Sequence, residues 1–208
     1  MASGGRAPLM NAQTERRTVQ GPAGAIECAI DQPAGAPRGI ALVCHPHPQH
    51  GGTMDNKVVQ TIARAAVACG YTSVRFNFRG IGASAGAWDE GRGEIDDATA
   101  VLQAVRAADQ PLVLAGFSFG AYVTSQLAQR VLADRILLIG PAVVNFPVAA
   151  VPNGSLVIHG EADDVVPLAA VFEWARLHMQ PVTVVPAVGH FFHGQLPLLR
   201  QLITLFLR

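Results

Sequence analysis

Short apolar runs alternate with longer stretches of helical periodicity along most of the chain. The apolar runs fall at 25–30, 39–44, 72–78, 112–117, 135–140, 155–159 and 182–186. Several are continuously apolar, without strict alternation, the pattern of strands buried on both faces of a parallel sheet. Between them, 55–69, 94–108, 121–132, 168–178 and 196–207 read as helices. In the first helix, Val58, Val59, Ile62, Ala65, Ala66 and Cys69 share one stripe. Strand and helix alternating at this spacing predict an α/β fold: a doubly wound, mostly parallel sheet with helices on both faces. Residues 1–17 are polar and Gly-containing and read as a flexible tail; 18–208 read as a single domain.

Composition narrows the picture. Charged residues make up 14% of the 208, against about 25% in ordinary soluble domains. With so few charges and so many apolar residues, disorder is excluded. Fifteen basic residues balance fifteen acidic ones, so no electrostatic footprint for nucleic acid or an anionic membrane exists. The longest uncharged run, 136–160, is broken by Gly140, Pro141, Pro147, Pro152 and Gly154 and cannot be a membrane span. The first 20 residues carry no apolar signal-peptide core. Cys28, Cys44 and Cys69 lack metal-type spacing and read as free thiols, which suits a cytoplasmic protein.

One pentapeptide stands out, Gly116-Phe117-Ser118-Phe119-Gly120, with an apolar strand before it and a helical pattern after it. This is a G-x-S-x-G nucleophile elbow in the strand–turn–helix setting it requires. A sharp turn lifts the serine hydroxyl to the edge of the sheet. The backbones on either side then run so close that only glycine fits. Six serines and 21 glycines would produce about 0.06 such pentapeptides by random placement, so chance is a weak explanation.

A nucleophilic serine needs a base, and the base needs a carboxylate to orient it. In this setting they follow in the order Ser, Asp, His, each at a strand end. Gly160-Glu161-Ala162-Asp163-Asp164 and Gly189-His190-Phe191-Phe192-His193 stand at the required places. Asp163, in the middle of its loop, is the expected carboxylate, ahead of Asp164 and Glu161. His190, next to the strand, is expected rather than His193.

The oxyanion formed by attack needs backbone donors. One is the N–H after the nucleophile, that of Phe119. The other should come from His45-Pro46-His47-Pro48-Gln49-His50-Gly51-Gly52, which closes the strand at 39–44. Proline has no N–H, so between Pro46 and Pro48 only His47 can donate. The side chain of His45 is expected to brace this loop. A rival reading takes His45, His47 and His50 as an H-x-H-x-x-H zinc run, with His159, Asp163 and His190 as further ligands. That run ordinarily has Asp before its third His, where Gln49 stands here, and zinc would leave the elbow unexplained.

Weaker readings attach to other residues. Gly80 and Gly82 suit a turn, and Arg79 is expected to be structural. Glu94, Asp96 and Asp97 form the acidic first turn of a helix. Trp88, Phe191 and Phe192 fit an acyl pocket and the core equally well.

Taken with Gly51-Gly52-Thr53-Met54-Asp55-Asn56-Lys57, Phe76-Asn77-Phe78-Arg79-Gly80 and His193-Gly194, these motifs resemble the α/β-hydrolase superfamily over 18–208. More closely the chain looks like its small, lidless, bacterial, dienelactone-hydrolase-like branch. The resemblance implies a triad of Ser118, Asp163 and His190, the same three residues that spacing selects. It departs from dienelactone hydrolases in placing serine where they carry cysteine. The expected activity is a serine hydrolase of carboxylic esters or related acyl compounds, working through an acyl-enzyme without a cofactor. A non-catalytic protein on the same fold and an acyltransferase are the alternatives. The expected partner is a small acyl substrate, with a homodimer compatible and neither nucleic acid nor membrane involved. Only residues 141–154 separate two strands where a lid would be inserted, so the site should be open.

Overall fold

A computed structural model describes residues 14–107 and 109–208. The chain opens with a hairpin, β1 (Glu15–Gly21) and β2 (Gly24–Asp31), followed by β3 (Gly39–Cys44). Then come α1 (Lys57–Ala68), β4 (Tyr71–Phe76), α2 (Arg92–Val105), β5 (Leu112–Phe117) and α3 (Phe119–Leu127). The last part is β6 (Arg135–Ile139), β7 (Leu156–Gly160), α4 (Leu168–His178), β8 (Thr183–Val185) and α5 (Leu196–Leu207). The strands form one eight-stranded sheet in the order β1-β2-β4-β3-β5-β6-β7-β8. The β1–β2 and β2–β4 pairs are antiparallel; every pair from β4 to β8 is parallel.

The apolar strands serve two cores at once. Leu42, Leu114 and Leu138 point to one face and pack with Phe119 and Val123 of α3 and Trp174 of α4. Their neighbours Ala41, Val43, Val113, Ala115, Leu137 and Ile139 point to the other, against Val59 and Ile62 of α1 and Leu199 and Ile203 of α5. Alternation across a strand gives each face its own residues, and two covered faces remove the need for polar ones.

Three elements differ from the sequence-based expectation. The sheet begins at Glu15, inside the segment read as a tail; residues 1–13 lie outside the described residues. In β1 only Val19 is buried, so hydropathy carries almost no signal there, and backbone pairing with β2 defines the strand. Next, α3 starts at Phe119 and ends at Leu127, not at 121 and 132. The elbow delivers the chain straight into the helix. Third, α2 ends at Val105, short of the expected 108, and Ala108 lies outside the described residues. Among the described residues, no helix is long and apolar enough to cross a membrane.

The antiparallel end carries a buried polar frame. Arg75 of β4 donates to Asp31 Oδ2 (3.2 Å), to Asp55 Oδ1 (3.0 Å) and to the Met54 carbonyl (2.9 Å). Asn77 accepts from the Met54 N–H at 2.9 Å and donates to Glu27 at 2.8 Å. Asn56 caps α1, its Oδ1 accepting from the Val58 N–H at 2.9 Å. Together these bonds tie down the segment that leads from the end of β3 into α1.

Both elbow glycines are sterically required. A Cβ on Gly116 would sit 2.1 Å from the Gly120 carbonyl oxygen, and one on Gly120 2.2 Å from that of Cys44. Both obstacles are backbone, so the chain itself must move. Gly120→Ala should therefore destabilise the fold by about 1–3 kcal/mol or more, read as a lower urea midpoint.

Candidate active site

Ser118 sits between β5 and α3 with φ 56° and ψ −118°, a backbone conformation that a side-chain-bearing residue adopts only under strain. Its N–H donates to the Ile139 carbonyl at 2.9 Å, and its own carbonyl accepts from Ala121 at 2.9 Å, which hold the turn. Ser118 Oγ lies 3.0 Å from His190 Nε2, and His190 Nδ1 lies 2.7 Å from Asp163 Oδ2. An ionised carboxylate only accepts, so the Nδ1 proton faces Asp163 and Nε2 is left to accept from the serine. The three residues chosen from sequence spacing are thus brought into one chain of hydrogen bonds.

Close backbone packing also brings His190 to Asp163. A Cβ on Gly160, at the end of β7, would meet the Val188 carbonyl at 2.2 Å. The loops after β7 and β8 are zipped by Ala162 N–H to Val188 O (2.9 Å) and Glu161 N–H to Val185 O (3.0 Å). The imidazole of His190 lies against Phe117, centroids 4.9 Å apart, and meets Phe191 edge-on at 5.1 Å. Glu161 accepts from the Ala187 N–H at 2.9 Å and so supports the loop. Asp164 and His193 are exposed, the latter stacked on Phe191.

Asp163 is buried and well supplied with donors. Its Oδ1 accepts from the N–H groups of Val165 (2.9 Å) and Val166 (2.8 Å). Burial pushes the carboxyl up, but hydrogen bonds from His190 and Val166, with the charges of His190 and His159, hold it below the ordinary carboxylate range. Sequence reasoning placed His159 only among zinc ligands. In the structure it is fully buried, with Nε2 2.9 Å from the Val166 carbonyl and 3.3 Å from Asp163 Oδ2. The available signal was its place at a strand end, four residues before Asp163.

The His-Pro-His-Pro loop packs directly on the elbow. A Cβ on Gly120 would also meet the His45 carbonyl, at 2.6 Å, and the His47 ring lies 5.3 Å from that of Phe119. Neither the His47 N–H nor the Phe119 N–H has a protein acceptor among the described residues. His45 is fully buried and bonded at both ring nitrogens: Nδ1 to the Pro46 carbonyl (2.6 Å) and Nε2 to the Phe78 N–H (3.0 Å). Burial depresses its pKa to about 3, against the opposing pull of the Pro46 bond. His47 instead stacks on His50 at 4.3 Å. The three histidines therefore do not converge, and among the described residues no cluster of three His, Cys, Asp or Glu could hold a metal.

Aromatic residues wall this side of the site. Trp88 lies 4.5 Å from His47 and 5.1 Å from Phe119, and Phe146 lies 4.9 Å from Phe119. Trp88 and Phe146 are half-buried, while Phe192 is core. Arg79 is structural: it grips Asp97 through two bonds of 2.8 Å and the Gly93 carbonyl at 2.7 Å. Glu94 accepts from the N–H groups of Asp89 and Gly91, closing the loop before α2. All three cysteines are free, and burial pushes the Cys28 and Cys44 thiols up to about 12.

A family model described as serine aminopeptidase, S33, matches residues 35–152. An uncharacterised protein of Rickettsia prowazekii is 37% identical over 156 residues, spanning 70% of this chain and 66% of that protein. An α/β serine hydrolase homologue from Coxiella burnetii superposes with a TM-score of 0.88 at 39% identity, over 93% of this chain and 97% of that one. A serine hydrolase without lid from Xanthomonas campestris gives 0.87 at 39% identity, over 97% of both chains.

The buried histidine has a consequence for acid stability. An unfolded histidine takes up a proton near 6.5, but native His45 only near 3. The unfolded state binds the extra proton in that window, so stability falls as pH drops through it. Urea midpoints should decline from pH 6.5 towards 3, and His45→Asn should flatten the decline. A residual slope should remain, because His159 and Asp163 are depressed in the same direction.

Proposed function

From a chain that belongs to the serine aminopeptidase S33 family, within the α/β-hydrolase superfamily, we propose a carboxylesterase-like serine hydrolase. The observation that carries this reading is the unbroken hydrogen-bond chain Ser118–His190–Asp163, at 3.0 and 2.7 Å. In the proposed reaction, Ser118 Oγ attacks the ester carbonyl while His190 Nε2 takes its proton. Asp163 keeps the imidazole in the required tautomer and stabilises its cation. The carbonyl oxygen, now negative, rests on the His47 and Phe119 N–H groups. As the tetrahedral intermediate collapses, the leaving alkoxide takes the proton from His190. Water, deprotonated by the same imidazole, then releases the acid and restores the serine.

The walls of the site favour an apolar acyl group of modest size. Trp88 and Phe146 pack on the rings of His47 and Phe119, the two residues proposed to supply the oxyanion donors. Phe191, Val144 and Val165 are exposed on the three loops that follow His190, β6 and Asp163. The segment between β6 and β7 contains no helix. It is laid along α3 by Gln126 Nε2 to Pro147 O (2.7 Å), Gln129 Nε2 to Ala150 O (2.8 Å) and Ala149 N–H to Ser125 Oγ (3.0 Å). The segment also sets Phe146 against the rings of His47 and Phe119.

A fluorophosphonate should label the wild-type protein at Ser118, located by peptide mass spectrometry, and leave Ser118→Ala unlabelled. Equal labelling of both would sink the assignment. On p-nitrophenyl butyrate, Asp163→Asn should lose about 10⁴-fold in kcat by leaving His190 in the wrong tautomer. Aminoacyl p-nitroanilides in the same panel separate an esterase from an aminopeptidase.

A further inference from the structure

Pro46 and His47 share a peptide unit, and a trans peptide points its C=O and N–H in opposite directions. Whatever fixes the Pro46 carbonyl therefore aims the His47 N–H. Two neighbours fix it. His45 Nδ1 lies 2.6 Å away and donates to it. Gly52 closes on it from the other side: a Cβ there would come within 2.1 Å of the same oxygen. The His45 ring is itself held, because Nε2 accepts from the Phe78 N–H at 3.0 Å and the ring packs 4.4 Å from that of Phe78. Phe78 follows β4, so the ring bridges the loop after β3 to the loop of the adjacent strand. The His47 carbonyl is fixed separately, accepting from the N–H groups of His50 (3.1 Å) and Gly52 (3.0 Å).

We infer that His45 is a positioning residue for the oxyanion site: its Nδ1–H locks the Pro46–His47 peptide so that the His47 N–H faces the reacting carbonyl oxygen. It touches no substrate and transfers no proton. This rests on the hydrolase reading above, with His47 as one of the two oxyanion donors. The arrangement also explains the composition of His45-Pro46-His47-Pro48-Gln49-His50-Gly51-Gly52. The first histidine supplies the clamp, the second the amide, and Gly52 the room for the carbonyl.

The two bonds of His45 can be separated by substitution. Asn places an N–H near the position of Nδ1 and can keep the Pro46 bond. Gln places an acceptor near Nε2 and can keep the Phe78 bond while losing the clamp. The readouts are the rate of labelling by a fluorophosphonate, whose phosphoryl oxygen enters the oxyanion site, and kcat and KM on p-nitrophenyl butyrate. H45Q should lose about 10–100-fold in labelling rate and kcat with KM nearly constant, less than the loss of a whole donor. H45N should recover most of that loss. Equal losses in both variants, or none in either, would overturn the inference. Wild-type protein that is not labelled at all would instead overturn the hydrolase reading.

A second measurement needs no variant. In the ¹⁵N-labelled wild type, the His45 ring should carry its proton on Nδ1, and the His47 amide proton should move downfield with that of Phe119 on phosphonylation. A His47 amide that does not respond would overturn the inference even if H45Q fails to fold.

Discussion

Where β5 turns into α3, backbone meets backbone with no side chain between, and the rest of the site depends on that contact. Gly120 rests against the carbonyls of Cys44 and His45. The first turn of the elbow helix therefore fixes its distance to the loop after β3. Gly116 lets the helix fold back over its own strand. Gly160 repeats the device at the far end, pressing the end of β7 against the loop that carries His190. Three glycines thus set the spacing among four strand ends, and hydrogen bonds of 2.7–3.0 Å then link the side chains there. Interiors packed to this density move as units, so the strain at Ser118 is held by its surroundings.

Apart from the Arg79–Asp97 pair and Glu94 around the start of α2, two systems of buried polar groups frame the site. One lies at the parallel end and contains the Ser118–His190–Asp163 chain with His159 behind it. The other, around Arg75, lies at the antiparallel end and holds the approach to α1. The second carries a buried charge pair, which is costly to break but a weak source of net stability. Its value is placement: it anchors Met54 and Asp55, a few residues beyond the His-Pro-His-Pro loop. Of the buried charges, Asp31, Arg75 and Asp163 serve these two systems, while Asp97 and Glu94 hold Arg79 and the loop before α2.

The sequence reveals most clearly what depends on local chemistry. Strands β3 and β5 and helices α4 and α5 begin and end where periodicity places them. Ser118, Asp163 and His190 stand out because an elbow motif and chain order restrict the choice. The edge strand β1 is invisible because its residues face solvent and its hydrogen-bond partner is a neighbouring strand. The choice among Glu161, Asp163 and Asp164 rested on position within a loop; geometry gives each a separate place, with Glu161 bonded to the Ala187 N–H and Asp164 exposed. His159 is hidden for a different reason. Its place at a strand end, four residues before Asp163, marks only the neighbourhood, and the fold alone brings Nε2 to 3.3 Å from the carboxylate.

The segment joining β6 to β7 has a kinetic meaning. Side-chain bonds pin it along α3 at three points. Enzymes with mobile covers often wait on opening, and their rates then report loop motion rather than chemistry. Under the proposed hydrolysis, a segment held at Pro147, Ala149 and Ala150 gives turnover no loose loop of this kind to wait on. The proposed reaction would then be limited by a bond-making or bond-breaking event at the serine, with solvent viscosity having little hold on it.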